Sequence, residues 1–202
     1  MRQEYSYARG RAPLTPSGVT VPHVTVDTEP ALLELARNVD RLCRLRGSFT
    51  LRSGLQVEEY FDKFLFESDP LLLRRIVERM APLVPEATEV LGGIELGGVP
   101  IAAVLSQLTG LPATYVRKEQ KAYGTKKLAE GPDLSGRRVT LVEDAITTGG
   151  AVRAAALALR DLGAIVDTVV CAIDREEPGG NVLDEIGVQV RPVLTRTLLN
   201  AG

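Results

Sequence analysis

From residue 88 to residue 195, short apolar runs alternate with segments of helical period, and this alternation constrains the fold more than any other feature of the chain. "TEVLGGI", "PATYVRK", "RRVTLVED", "AIVDTVVCAIDR" and "VQVRPVLT" read as strands. "VPIAAVLSQLTG" and "AVRAAALALRDLG" read as the helices between them, the second with Val152, Ala156, Leu159 and Gly163 along one side. Strands and helices in turn predict an α/β fold: a parallel sheet with helices on both faces.

The preceding segments are less regular. Residues 1–27 carry prolines and glycines without a sustained period and read as a flexible arm. His23, the only histidine, lies there with no cysteine or second histidine near it, so it reads as an ordinary arm residue. A first helix is expected from Thr28-Glu29-Pro30, with Leu32, Leu35, Ala36, Val39, Leu42 and Cys43 on one face and Gly47 ending it. "SFTLRSG" and "QVEEYFDKFLF" read as two short strands, and "SDPLLLRRIVERMAPLV" as a helix capped by Ser68 or Asp69.

Composition matters mainly for what it excludes. With 24 Lys+Arg against 26 Asp+Glu the net charge is -2, so nothing draws the chain as a whole to nucleic acid or to an anionic membrane, and any anion site must be local. The apolar stretch Leu83–Leu111 is interrupted by Glu86, Glu89 and Glu95, which argues against a membrane span, and the first residues lack the apolar centre of a signal peptide. Cys43 and Cys171 form neither a disulfide framework nor a metal pattern, and Cys43 falls on the core face of its helix. A reducing, cytoplasmic setting is expected.

One stretch carries chemistry. In "VTLVEDAITTGG", Val139–Gly150, an apolar strand ends at Glu143 and Asp144, a turn with two hydroxyls follows, and a helix begins near Gly150-Ala151. Ligands of open parallel sheets bind at the carboxyl ends of the strands. Backbone N–H groups, hydroxyls and a helix N-terminus suit a phosphate there, and glycines let the backbone close around it. Carboxylates do not suit a phosphate; they suit sugar hydroxyls, or a nearby magnesium ion. The pattern asks for a phosphorylated sugar, although a solvated acid pair before a threonine-capped turn uses the same residues. A Walker-type loop is excluded, because no Gly-Lys-Ser/Thr follows the glycines.

The stretch resembles the motif by which type I phosphoribosyltransferases bind 5-phosphoribosyl 1-pyrophosphate (PRPP). Further segments resemble the orotate phosphoribosyltransferases within that superfamily. "YVRKEQKAYG" is similar to their basic catalytic loop, with Arg117, Lys118 and Lys121 on the basic positions. "FTLRSG" places Arg52, "EYFDKFLFESDPLLL" places Tyr60 and Phe61, and "AIDREE" places Arg175 on positions facing orotate. Read from the residues alone, the basic run also fits a solvated hairpin, Arg175 an ion pair with Asp174 or Glu176, and Tyr60 and Phe61 the core. A transferase for a purine, or a non-catalytic PRPP-binding regulator, would share the opening stretch but would not need Arg52 with Arg175, or the basic loop, respectively.

The resemblance implies a type I phosphoribosyltransferase domain over residues 28–202, a parallel sheet flanked by helices with a small hood formed by N-terminal and other segments. It implies magnesium-dependent transfer of phosphoribose from PRPP to orotate, with the ion carried by PRPP and water rather than by side chains. Glu143 and Asp144 would take the ribose hydroxyls. Ala145, Ile146, Thr147, Thr148, Gly149, Gly150 and Ala151 would surround the 5'-phosphate, Thr147 and Arg175 would help to place orotate, and Arg117, Lys118, Lys121 and Tyr123 would face pyrophosphate. A homodimer sharing the basic loop between subunits is also implied. Three positions depart from the family pattern: Tyr123 stands where histidine is usual, Glu143 replaces the first aspartate of the acid pair, and Gly97 in "GGIELGGVPIA" stands where some members carry lysine.

Overall fold

The computed structural model describes residues 29–50, 54–118, 128–175 and 182–201. The apolar runs do become strands. Strands β3 (Val90–Ile94), β6 (Arg138–Ile146), β7 (Ile165–Asp174) and β8 (Gln189–Thr195) run parallel with β4 (Ala113–Val116), and a two-residue strand β5 (Ala129–Glu130) closes the edge antiparallel to β4. The order is β5-β4-β3-β6-β7-β8. The chain leaves β3 toward one edge, then returns through β6 toward the other, so β3 and β6 flank the topological switch point where open α/β sheets bind ligands.

Alternating side chains feed two cores. On one face Leu91, Val142, Val170 and Ala172 pack with α1 (Glu29–Cys43), α3 (Pro70–Met80) and α4 (Gly98–Thr109), and on the other Val90, Leu141, Val169 and Cys171 pack with α5 (Gly150–Asp161). Each fully buried Val, Leu or Ile contributes about 1.5–3 kcal/mol relative to exposure, so the sheet is a rigid platform for whatever its ends carry. Cys43 and Cys171 are buried in these cores, where desolvation pushes both thiols up and keeps them unreactive.

The structure departs from the sequence reading in three places, two of them in the hood. The first helix stops at Cys43, not Gly47, and passes directly into β1 (Arg44–Thr50), antiparallel to β2 (Gln56–Phe61). Pairing of Arg44 with Phe61 and Leu45 with Tyr60 outcompetes helix propensity, and the Arg44 guanidinium fastens the junction to Asp40, Glu59 and Asn200; Gly47 falls in a bulge. The segment read as one strand through Phe66 breaks at Asp62, whose Oδ1 accepts from the Phe64 amide at 3.1 Å, and becomes α2 (Phe64–Ser68) with Phe66 fully buried. Strand β6 does not stop at the acid pair; pairing with β7 carries it to Ile146. The helix after α2 is as expected, with Asp69 capping α3 by accepting from the amides of Leu71 and Leu72. The last helix, α6 (Arg196–Asn200), follows β8 directly. No described helix is long and apolar enough to cross a membrane.

Candidate active site

At the carboxyl ends of β3 and β6 lies a cavity of about 420 Å³. Its wall includes Glu143, Ala145, Ile146, the turn Thr147–Gly150 and Ala151, with Lys118, Lys63 and the β3–α4 turn opposite. A wider groove of about 710 Å³ between α1 and α3 has no strand-end acid pair, and the first amides of the helix that opens on it, α3, are already capped by Asp69.

The phosphate-like half is backbone. Gly149 takes a left-handed conformation, φ 77°, that a residue with a Cβ adopts at a cost, and this bends the chain from β6 into α5. With glycine at the N-cap, no side chain satisfies the first helical amides, which are left for a ligand with the positive end of the helix dipole behind them. Thr147 and Thr148 are exposed at the rim.

The acid half is made of side chains. Asp144 is fully buried, and the Lys63 ammonium, from the turn between β2 and α2, sits 2.8 Å from its Oδ1 and 2.7 Å from its Oδ2. Close approach of β3–α4 to β6 makes this possible. A Cβ on Gly97 would stand 1.6 Å from Asp144 Oδ2, and one on Gly98 would stand 2.2 Å from the Val142 carbonyl oxygen. A side chain at position 97 requires the Asp144 carboxylate to shift.

Glu67 of α2 completes a cluster of three acids around one ammonium. As carboxylates, Glu67 and Glu143 would leave Oε1 and Oε2, respectively, buried without a hydrogen-bond partner, and a proton on each supplies the missing donor. Burial, then the hydrogen bond and charge of Asp144, push Glu143 up to about 9 and Glu67 up to about 8. Burial also works to raise Asp144, but hydrogen bonds from Glu143 and Lys63 outweigh it and hold that group below its ordinary value. For Lys63 burial works downward, and the bond to and charge of Asp144 turn the net direction up. Near neutral pH the cluster is one carboxylate, one ammonium and two neutral carboxyl groups.

The sequence-predicted residues distribute as follows. Glu143, Ala145, Ile146, Thr147, Thr148, Gly149, Gly150, Ala151 and Lys118 meet at the one cavity, with Asp144 beneath it. The Lys118 amide donates to Glu95 Oε2 at 3.0 Å, tying the start of the basic segment to the β3–α4 turn, and Arg117 is half-buried at the end of β4. Arg175 follows β7; its amide donates to the Ile146 carbonyl at 2.8 Å, and its guanidinium lies 5.1 Å from the Phe61 ring centroid. Tyr60 does not share that face: neighbouring strand residues point opposite ways, and its ring packs on Phe49 at 5.6 Å. Arg52, Lys121 and Tyr123 lie outside the described residues. Sequence reasoning missed Lys63 and Glu67. Their i, i+4 spacing would have paired them had "FLFES" been read as helix.

Comparison with known proteins adds to this geometry. Residues 72–187 match the phosphoribosyl transferase domain family. Over 168 residues the chain is 63% identical to an orotate phosphoribosyltransferase from a Nocardioides species, covering 83% of this chain and 94% of that one. A crystal structure of orotate phosphoribosyltransferase from Mycobacterium tuberculosis superposes with TM-score 0.74 at 34% identity, covering 84% of this chain and 99% of the other. That enzyme has also been solved in complex with PRPP, in a structure that superposes with TM-score 0.69 at 32% identity over 85% of this chain and 99% of the other.

Proposed function

Because this chain belongs to the orotate phosphoribosyltransferase family, we propose that it transfers the 5-phosphoribosyl group of PRPP to orotate in pyrimidine nucleotide synthesis in the cytoplasm. The anomeric carbon loses its bond to pyrophosphate oxygen and gains one to the orotate ring nitrogen, giving orotidine 5'-monophosphate and pyrophosphate. The observation that carries this reading is a side-chain acid cluster and an uncapped helix N-terminus at one cavity, whose lining also includes the cations Lys63 and Lys118.

The amides from Thr147 to Ala151 hold the 5'-phosphate. Glu143 and Asp144 meet the ribose hydroxyls, and the charged member of the pair, Asp144, stabilises positive charge developing at the anomeric carbon. Arg117, Lys118, Lys121 and Tyr123 face pyrophosphate, and the basic segment that follows β4 closes over it. Arg175, with Phe61 against its guanidinium, offers the orotate carboxylate a planar fork, helped by Thr147 and by Arg52; Tyr60 reaches orotate only by leaving Phe49. No side chain acts as nucleophile, so catalysis is positioning and electrostatics. Magnesium enters as part of the substrate, on PRPP oxygens and water.

The test is loss of orotate absorbance in the presence of Mg²⁺ and PRPP, with adenine, hypoxanthine and uracil followed in parallel. Consumption of orotate that requires both PRPP and the ion is the expected result; reaction with another base alone overturns the orotate roles, and PRPP binding without turnover overturns the enzyme reading. The active form is proposed to be a homodimer that shares its basic loop. Mixing Lys121→Ala chains with Asp144→Asn chains is expected to restore part of the activity missing from each, and no restoration would remove sharing between subunits.

A further inference from the structure

Asp144 is assigned to the ribose hydroxyls, yet it is fully buried, and the group that covers it is Lys63. The Lys63 side chain is 36% exposed and forms part of the cavity wall, so the surface that a substrate meets above Asp144 is an ammonium. Another cation, Lys118, and the uncapped start of α5 line the same cavity. The β3–α4 turn crowds Asp144 on its other side, where a Cβ on Gly97 would stand 1.6 Å from Oδ2. Of the side chains bonded to Asp144, Lys63 is the one that carries a charge and the longest stem, and it enters from the hood, 81 residues earlier in sequence.

Resting on the proposed reaction, we infer that Lys63 is a displaceable counter-ion and a pyrophosphate-binding residue: it caps Asp144 in the empty site and passes to pyrophosphate oxygens when PRPP arrives, leaving Asp144 to the ribose hydroxyls. The exchange conserves charge pairing. The ammonium trades one carboxylate for a pyrophosphate, and the carboxylate trades the ammonium for hydroxyl donors, so neither charge is stranded in a poorly solvated site. Lysine suits this task, being a compact charge on a flexible stem with three rotatable donors. The exchange would also make occupation of the ribose subsite depend on the pyrophosphate end of the same ligand. Ribose 5-phosphate, which lacks pyrophosphate, has to displace Lys63 with nothing to receive it.

The experiment titrates wild-type chain, Lys63→Met and Lys63→Arg with Mg-PRPP, with Mg-pyrophosphate and with ribose 5-phosphate by calorimetry, after melting curves show that each is folded. Lys63→Met is expected to weaken Mg-PRPP and pyrophosphate by about 10- to 100-fold, the effect of losing one charged hydrogen bond. It should leave ribose 5-phosphate within about threefold of wild type or improve it, because Asp144 is uncovered; Lys63→Arg should recover part of the PRPP affinity. Equal weakening of all three ligands, or unchanged PRPP binding, overturns the inference. Should Lys63→Met not fold, Lys63→Gln carries the same comparison under the same two criteria. A wild-type chain that binds these ligands but never consumes orotate would sink the proposed reaction while leaving the ligand comparison for Lys63 readable.

Discussion

The two halves of the cavity are built on different principles. The turn Thr147–Ala151 offers backbone amides set by one left-handed glycine and a helix start, and its hydroxyls stand exposed at the rim. The cluster of Lys63, Glu67, Glu143 and Asp144 offers side chains only, drawn from the hood and from β6, and held by ion pairing and shared protons. A backbone site tolerates changes of side chain and fails when a dihedral angle is forbidden. A side-chain cluster fails when one charge is removed, because its partners are left buried.

That contrast breaks most readily under direct substitution. Asp144→Asn is expected to lower kcat/KM by about 100- to 1,000-fold, the range for a lost electrostatic contact to a transition state. Thr148→Ala removes a hydroxyl and leaves the amides, so its loss should stay below about tenfold. Steady-state kinetics with PRPP varied would erase the distinction if Thr148→Ala proved as damaging as Asp144→Asn.

The glycines sharpen it further. Gly97 is needed for space beside the Asp144 carboxylate, and Gly149 for a φ of 77°. Gly97→Ala should cost about 1–3 kcal/mol as an overpacking change, and Gly97→Asn should be no better. Gly149→Ala should cost about 1–2 kcal/mol, and Gly149→Asn less, since asparagine visits the left-handed region more readily. Denaturant titrations of the four variants check the pattern; asparagine rescuing position 97 would mean that backbone, not space, rules there.

The same contrast decides what the sequence could disclose. The cradle is contiguous from strand to turn to helix, so "VTLVEDAITTGG" contains all of it but Ala151, and its place at a strand end follows from periodicity. The cluster is assembled across the switch point. Lys63 and Glu67 were hidden because "DKFLF" continues an apolar run and reads as strand, whereas the Asx turn at Asp62 starts a helix there. The two-residue strand β5 is too short to have a period, and the end of α1 was decided by tertiary pairing of Arg44–Arg46 with β2. The alternation of strand side chains was available in advance: Tyr60 and Phe61 are adjacent in β2 and point to opposite faces of it. The reason for glycine at position 97 needed the carboxylate that lies against it.

The smallest expected effect tests the protonated state of the cluster. In the folded chain Glu67 keeps its proton up to about 8, against 4.5 ordinarily, because burial and the neighbouring Asp144 disfavour its charge. Between those values the native state binds a proton that the unfolded chain has released, so this group's contribution is full below 4.5 and is lost as pH rises through about 8. Glu67→Gln imitates the neutral acid at every pH. Its melting temperature relative to wild type should therefore climb across that window, reaching a gain on the order of 1 kcal/mol at about pH 9 once solvent screening of this half-buried side chain is allowed for. Were the difference flat with pH, Glu67 would be ionised in the native state, and the two remaining acids would have to share Lys63 with a third negative charge beside them.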